Sequence, residues 1–225
     1  MKTHKKSAFT LIELLVVISI IAIIAALAMP AFAAIMNGAR QKEQMNNGRQ
    51  IAFAMRNYAS ETSHGGLYPS YKDVDDANTL VEDTNSAFEI LTPRYLEDKK
   101  VYINKQSAWT NKPVAKDPST ANKVLVGECD WVYVRGLADT SNSKWPLLAN
   151  AFQPGSTHYV TDPAQKGGVW KGVNAVVVWK EGNAEIVETN DKYEVKRPDR
   201  PGSNAFEIQD DWLTGDNVKV LYPKN

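Results

Sequence analysis

The chain has 225 residues, with 26 basic and 26 acidic side chains and a single cysteine, Cys129. That length fits one domain with an appendage. Nothing in the balanced charge suggests a nucleic-acid binder, and one thiol excludes an intrachain disulfide as the brace of the fold. Cys129 is expected to be a small buried side chain, with an intermolecular disulfide as the alternative.

The first element is the most informative. Lys2, Lys5 and Lys6 precede Ser7-Ala8, and an apolar run opens on Phe9. From Leu14 to Ala39, 26 positions, no residue is charged. A helix of that length spans roughly 39 Å, and a bilayer needs only ~20 apolar residues. The basic cluster ahead of the run favours an N-terminus on the cytoplasmic side, with the rest of the chain across the membrane. Glu13 sits inside this run, where a carboxylate facing lipid costs a few kcal/mol, about 2.5–3.5 at a helix centre and less near an end. It either snorkels to water or meets a cation from another chain. A free amine at Phe9, made by a cut after Ala8, would be such a cation.

Lys6-Ser7-Ala8-Phe9-Thr10-Leu11-Ile12-Glu13 resembles the prepilin signal of type IV pilins and type II secretion pseudopilins. The resemblance implies cleavage after Ala8 by a prepilin peptidase, with N-methylation of Phe9. It makes Glu13 the assembly residue and Pro30 a helix kink. Ala8 stands where Gly is more usual. Without residues 1–8 the chain carries 23 basic and 26 acidic side chains, since only Lys2, Lys5 and Lys6 are lost from the 26 and 26. A secretory signal peptide is the competing reading, because Ala26-Leu27-Ala28 and Ala31-Phe32-Ala33 have the form of its cleavage step. It leaves the Phe9–Glu13 pattern without a reason.

The helix is expected to run from Phe9 to about Glu61, bent at Pro30. Ile51, Met55 and Tyr58, flanked by Ala52 and Ala59, form a stripe that faces something apolar. Gly38 and Gly48 read as tolerated breaks and points of flex, each costing ~1 kcal/mol against Ala. His64-Gly65-Gly66 should stop the helix. Tyr58-Ala59-Ser60-Glu61 followed by Gly66-Leu67-Tyr68-Pro69 again resembles pseudopilin-like spines.

Residues 70–84 are acidic, with Asp73, Asp75, Asp76, Glu82 and Asp83. A calcium loop would use such carboxylates, but EF-hand spacing is lacking, so a solvated loop is expected. A short helix should follow, capped by Asn85 or Ser86, with Phe88, Ile90 and Leu91 partly buried and Pro93 as its limit. Val101-Tyr102-Ile103 reads as extended and residues 104–122 as a surface loop.

Strands are expected at Cys129–Val134 and Leu147–Phe152, and most clearly in the hairpin Val173–Lys180, Glu181-Gly182, Asn183–Glu188. That hairpin resembles one in a pilin-like group whose turn reads DGH. Glu181-Gly182-Asn183 lacks the histidine, so nothing tied to it carries over. Residues 189–225 form a charged tail of unassigned role, in which Val218–Tyr222 would add an edge strand. Trp109, Trp145 and Trp170 would mark a contact patch if exposed together; burial against the sheet is the alternative.

No catalytic pattern stands out. Past the leader only His64 and His158 remain, and HExxH, CxxC, GxSxG and P-loop spacings are all missing. Neither an enzyme nor a bound cofactor is expected. The expected fold is α+β and pilin-like, with a long N-terminal helix on a C-terminal antiparallel sheet. Its parts are a leader at 1–8, a membrane or filament-core half-helix at 9–36, and an exported domain at 37–225. In that domain the spine runs to about 61, loops fill 62–127 and the sheet fills 128–225. By the resemblance the chain is a structural subunit of a pilus-like or pseudopilus filament. Its partners would be the prepilin peptidase, other pilin subunits, an inner-membrane assembly platform and the membrane, with no nucleic acid bound directly. The precursor would lie in the inner membrane and the mature domain in the periplasm or a surface filament. An anchored outer protein that binds a ligand or host surface without polymerising, and an enzyme on a helical tether, belong to other classes.

Overall fold

The computed structural model describes residues 10–72, 79–110, 120–215 and 217–224. Helix α1 runs Leu11–Ser60. The chain divides into two compact units after Arg40, and each is taken by itself.

In the first unit the apolar side chains from Leu11 to Met36 point outward along α1. The helix passes through Pro30 without interruption, although the ring withholds the N–H that would bond the carbonyl of Ala26.

In the second unit α1 buries Gln44, Gly48, Ile51, Ala52, Ala54, Met55, Tyr58 and Ala59. The steps of three and four place them on one face. Gln44 joins that face because its Nε2 donates to Ile103 O at 3.0 Å. After Ser60 a 3-10 turn, Thr62–His64, intervenes before the glycines, and Gly65 caps it in the left-handed region at φ 58°. The ring of His64 stacks on Tyr58 with centroids 3.7 Å apart, which closes the helix end.

Helix α2, Thr84–Leu91, is capped by Asp83 rather than Asn85 or Ser86: its carboxylate accepts the Ser86 N–H at 2.8 Å. Asn85 and Thr84 are turned instead to the chain's far end. Thr84 Oγ1 donates to Leu221 O at 3.0 Å, and Asn85 Oδ1 accepts the Lys224 N–H at 2.9 Å. Phe88 and Leu91 are wholly buried. Residues Lys99–Tyr102 form a 3-10 helix, not a strand. The Asp98 carboxylate accepts the Lys100 N–H at 2.9 Å and turns the chain there. Nor is the following stretch a surface loop throughout, since Asn104, Ser107, Trp109 and Thr110 are buried; residues 111–119 lie outside the described residues.

Five strands follow: β1 Trp131–Arg135, β2 Pro146–Asn150, β3 Asn174–Trp179, β4 Ala184–Glu188 and β5 Lys219–Leu221. They form one sheet in the order β4-β3-β2-β1-β5, and all pairs are antiparallel. Register aligns Tyr133, Leu148, Val178 and Ala184 across one face. Gly48 of α1 lies against Val178 and Trp131, and Phe88 of α2 packs on Tyr133, so both helices cover this face. Gly48 is therefore a close-approach position, where the sequence read a point of flex.

The second face, carrying Val132, Ala149 and Val177, is buried too. An antiparallel sheet commonly leaves one face to water. Here neither face is left to water. Phe152, Tyr159 and Phe206 pack edge to face with centroids 4.9 Å apart, and Trp212 packs on Trp145. The charged tail thus supplies core: Val195, Ala205, Phe206, Trp212 and Leu213 are all buried. Trp109 is buried as well, while Trp145 and Trp170 are partly buried against the core, which favours the packing alternative over an exposed tryptophan patch.

Candidate functional site

The N-terminal segment carries the residues to which the sequence assigns a role. Ala8 and Phe9 lie outside the described residues. Thr10 is the residue before α1, and Glu13 falls in its first turn. The two form a reciprocal capping box. Thr10 N–H donates to Glu13 Oε2 at 2.8 Å, the Thr10 hydroxyl donates to the same oxygen at 2.6 Å, and the Glu13 N–H returns a bond to Thr10 Oγ1 at 3.3 Å. T-x-x-E is the spacing that makes this geometry, because residues three apart stack at a helix start. The sequence pattern alone assigns no role to Thr10, although its spacing from Glu13 is the signal for this box.

Two consequences follow. The carboxylate meets two donors of its own chain, which reduces the cost of placing it beside lipid. Both donors use Oε2, and among the described residues Oε1 accepts no hydrogen bond, so one oxygen stays open to a further cation.

Downstream, α1 is long and apolar enough to cross a membrane, with one such helix among the described residues. Ser19, a polar residue within the run, satisfies itself by donating from Oγ to Leu15 O at 2.7 Å.

The Glu181-Gly182-Asn183 hairpin turn is held by the spine. Gly182 adopts φ 91°, and its Cα lies against the Arg56 guanidinium, which donates from Nη2 to Lys180 O at 3.1 Å. Arg49 donates from Nη2 to Ala184 O at 3.0 Å on the next strand. The turn is thus a docking point for α1.

Of the acidic loop, Asp73, Asp75 and Asp76 lie outside the described residues. Glu82 is spent on Arg135 at 3.2 Å and Lys219 at 2.7 Å, which hold its carboxyl below the usual range, the lysine foremost. Asp83 caps α2. No group of three or more His, Cys, Asp or Glu side chains suited to a metal occurs among the described residues. Cys129 is free and buried, and burial pushes its thiol well up.

A pilin-like architecture is what these observations define: a long N-terminal apolar helix that packs its later turns on a five-stranded antiparallel sheet. Residues 3–29 match the family described as the prokaryotic N-terminal methylation motif. No curated protein and no solved structure matches the chain. The motif supports a type IV pilin-like precursor, processed by a peptidase and anchored by its apolar helix.

Proposed function

We propose that the chain is a structural filament subunit, cleaved after Ala8, N-methylated at Phe9 and assembled through the apolar half of α1. The observation that carries this reading is the placement of Glu13. A carboxylate stands in the first turn of an otherwise charge-free apolar run, inside the matched methylation motif, with one oxygen capped internally and one open. A charge removed from water needs a partner, and the Phe9 amine of a neighbouring subunit supplies one. The pairing also fixes axial register, as a single buried polar contact can. The finer role we favour is a pseudopilus subunit of type II secretion, on two grounds. The sole cysteine is a buried free thiol, so the chain lacks the C-terminal disulfide loop common among pilins, and its hairpin turn is short.

The test replaces Glu13 in the full-length protein. Glu13→Ala should leave the domain folded and inserted while filaments disappear. Filaments and secretion unaltered by the change would overturn the pairing. Intact mass and N-terminal sequence from native membranes give the independent check. A start at N-methylated Phe9 supports the reading, and a start near Met29 or Ala34 replaces it with a secreted soluble domain.

A further inference from the structure

The sheet has two edges, and they are not alike. At β5 the outer edge is taken by the start of α2: the Thr84 N–H donates to Tyr222 O at 2.9 Å and the Thr84 hydroxyl to Leu221 O at 3.0 Å. At β4 the outer edge has no neighbouring strand. The ladder to β3 fixes which groups lie on it. Trp179 N–H donates to Asn183 O at 2.9 Å and Thr189 N–H to Val173 O at 3.0 Å. Antiparallel pairs alternate, so Val177–Glu185 and Ala175–Val187 are the hydrogen-bonded pairs between them. Ala184, Ile186 and Glu188 therefore turn their N–H and C=O groups outward. Ala184 O accepts from Arg49. The N–H and C=O groups of Ile186 and Glu188 meet no partner among the described residues.

Ile186 and Val187 are half-buried, and Glu185 and Glu188 are exposed. Successive side chains point to opposite faces, so each face of β4 carries one apolar group and one carboxylate. Ile186 and Glu188 share the face that the helices cover, and Glu185 and Val187 share the other. Glu185 Oε1 accepts the Trp179 indole N–H. The charge along this stretch has one sign. From Glu181 to Glu194 the chain carries Glu181, Glu185, Glu188, Asp191 and Glu194 against Lys192. The arginines that reach the hairpin from α1, Arg49 and Arg56, are spent on Ala184 O and Lys180 O.

Charges on an edge strand commonly keep copies of a protein from pairing. They do so here, because a second copy presents the same carboxylates and like charges brought together across a ladder destabilise it. The same charges leave the edge open to a strand of opposite sign. Nowhere in the chain do two basic residues flank an apolar pair, so the complementary strand belongs to another protein.

We propose that the outer edge of β4 docks an extended segment of another protein, which adds to the sheet as a further strand with the order basic–apolar–apolar–basic opposite Glu185-Ile186-Val187-Glu188. Main-chain bonds to Ile186 and Glu188 hold the segment, and the two carboxylates and two apolar side chains select it. The site lies wholly within the second unit and is independent of the filament reading.

The experiment uses the full-length chain in uncharged detergent micelles and a dye-labelled peptide, Thr-Lys-Val-Val-Lys-Thr, with Thr-Glu-Val-Val-Glu-Thr as its charge-reversed control. Anisotropy should rise saturably with the basic peptide and not with the acidic one. Affinity should fall as salt screens the carboxylates, and amide exchange at Ile186 and Glu188 should slow in the complex. Ile186→Pro removes one outward N–H and no ladder bond, and should weaken binding about tenfold. Glu188→Lys changes an exposed side chain and should weaken binding severalfold while thermal unfolding stays where it was. No saturable binding at millimolar peptide, equal binding of the two peptides, or binding unmoved by Glu188→Lys would overturn the site. If Ile186→Pro does not fold, the Glu188→Lys chain and the exchange pattern decide.

Discussion

Gly48 of α1 lies so close to Trp131 of β1 that a Cβ there would sit 2.9 Å from the indole Cη2, and 2.6 Å from Val178 Cγ2. Neither neighbour can give way easily. Trp131 is wholly buried, with its Nε1 donating to Val101 O at 3.1 Å, and Val178 stands in a strand paired on both sides. Gly48→Ala should therefore destabilise the domain by about 1–2 kcal/mol, overpacking outweighing the ~1 kcal/mol gain in helix propensity. Gly38, with nothing within 4 Å of such a Cβ, should give the opposite sign. Thermal unfolding of the two alanine variants checks both, and a stabilised Gly48→Ala chain would contradict the packing.

Thr10→Val removes the hydroxyl from the Glu13 capping box while keeping the N–H bond. Filament yield should drop severalfold, and Thr10→Ser should restore it. Equal yields from the valine and serine variants would show that the hydroxyl is dispensable.

Removal of the Asp83 side chain frees the Ser86 N–H and the Ser86 hydroxyl that it now accepts. Asp83→Ala should cost about 1 kcal/mol, as lost N-caps do, and Asp83→Asn only a few tenths. The difference is read as a shift in urea midpoint at constant slope.

Trp212 holds the tail together and packs it on Trp145, ahead of β2. Its Nε1 donates to Ala205 O at 2.8 Å, and the Arg197 guanidinium sits 4.1 Å over its ring. Trp212→Ala should cost about 3–5 kcal/mol, and a chain ending before Thr189 should lack cooperative unfolding altogether. A well-folded truncated chain would mean that the outer layer is an ornament.

The Cys129 thiol is wholly buried and burial holds it far above its ordinary value. In the folded protein it should resist thiol reagents up to pH 9 and react at once in denaturant. Rapid labelling of the native chain would place the thiol at the surface.

Local chemistry was legible because it is short in range. The charge-free run, the stripe at Ile51, Met55 and Tyr58, and the Glu181-Gly182 turn each depend on residues within a turn or two of one another. Helix α1, the β3–β4 hairpin and the β5 edge strand therefore lie where periodicity and turn residues put them. The Thr10–Glu13 box is equally local, carried by its T-x-x-E spacing.

What failed was decided by residues far apart in sequence. The Val101 region has strand-like side chains, yet the Asp98 cap and the Tyr102–Asp130 bond curl it into a 3-10 turn. Asn85 and Ser86 look like caps, but the returning C-terminus claims the Asn85 side chain and Asp83 caps the helix by accepting the Ser86 N–H. Gly48 reads as a weak point until Trp131 arrives from β1.

The sequence by itself determined an apolar N-terminal helix with a processing signal and an α+β domain behind it, because periodicity and motif spacing are carried by neighbours in the chain. Only the tertiary structure decided that the sheet is covered on both faces and that the polar tail is core. It also put Asp130 wholly in the interior. Burial and charge pairing depend on which distant segments meet, and no local pattern encodes that meeting.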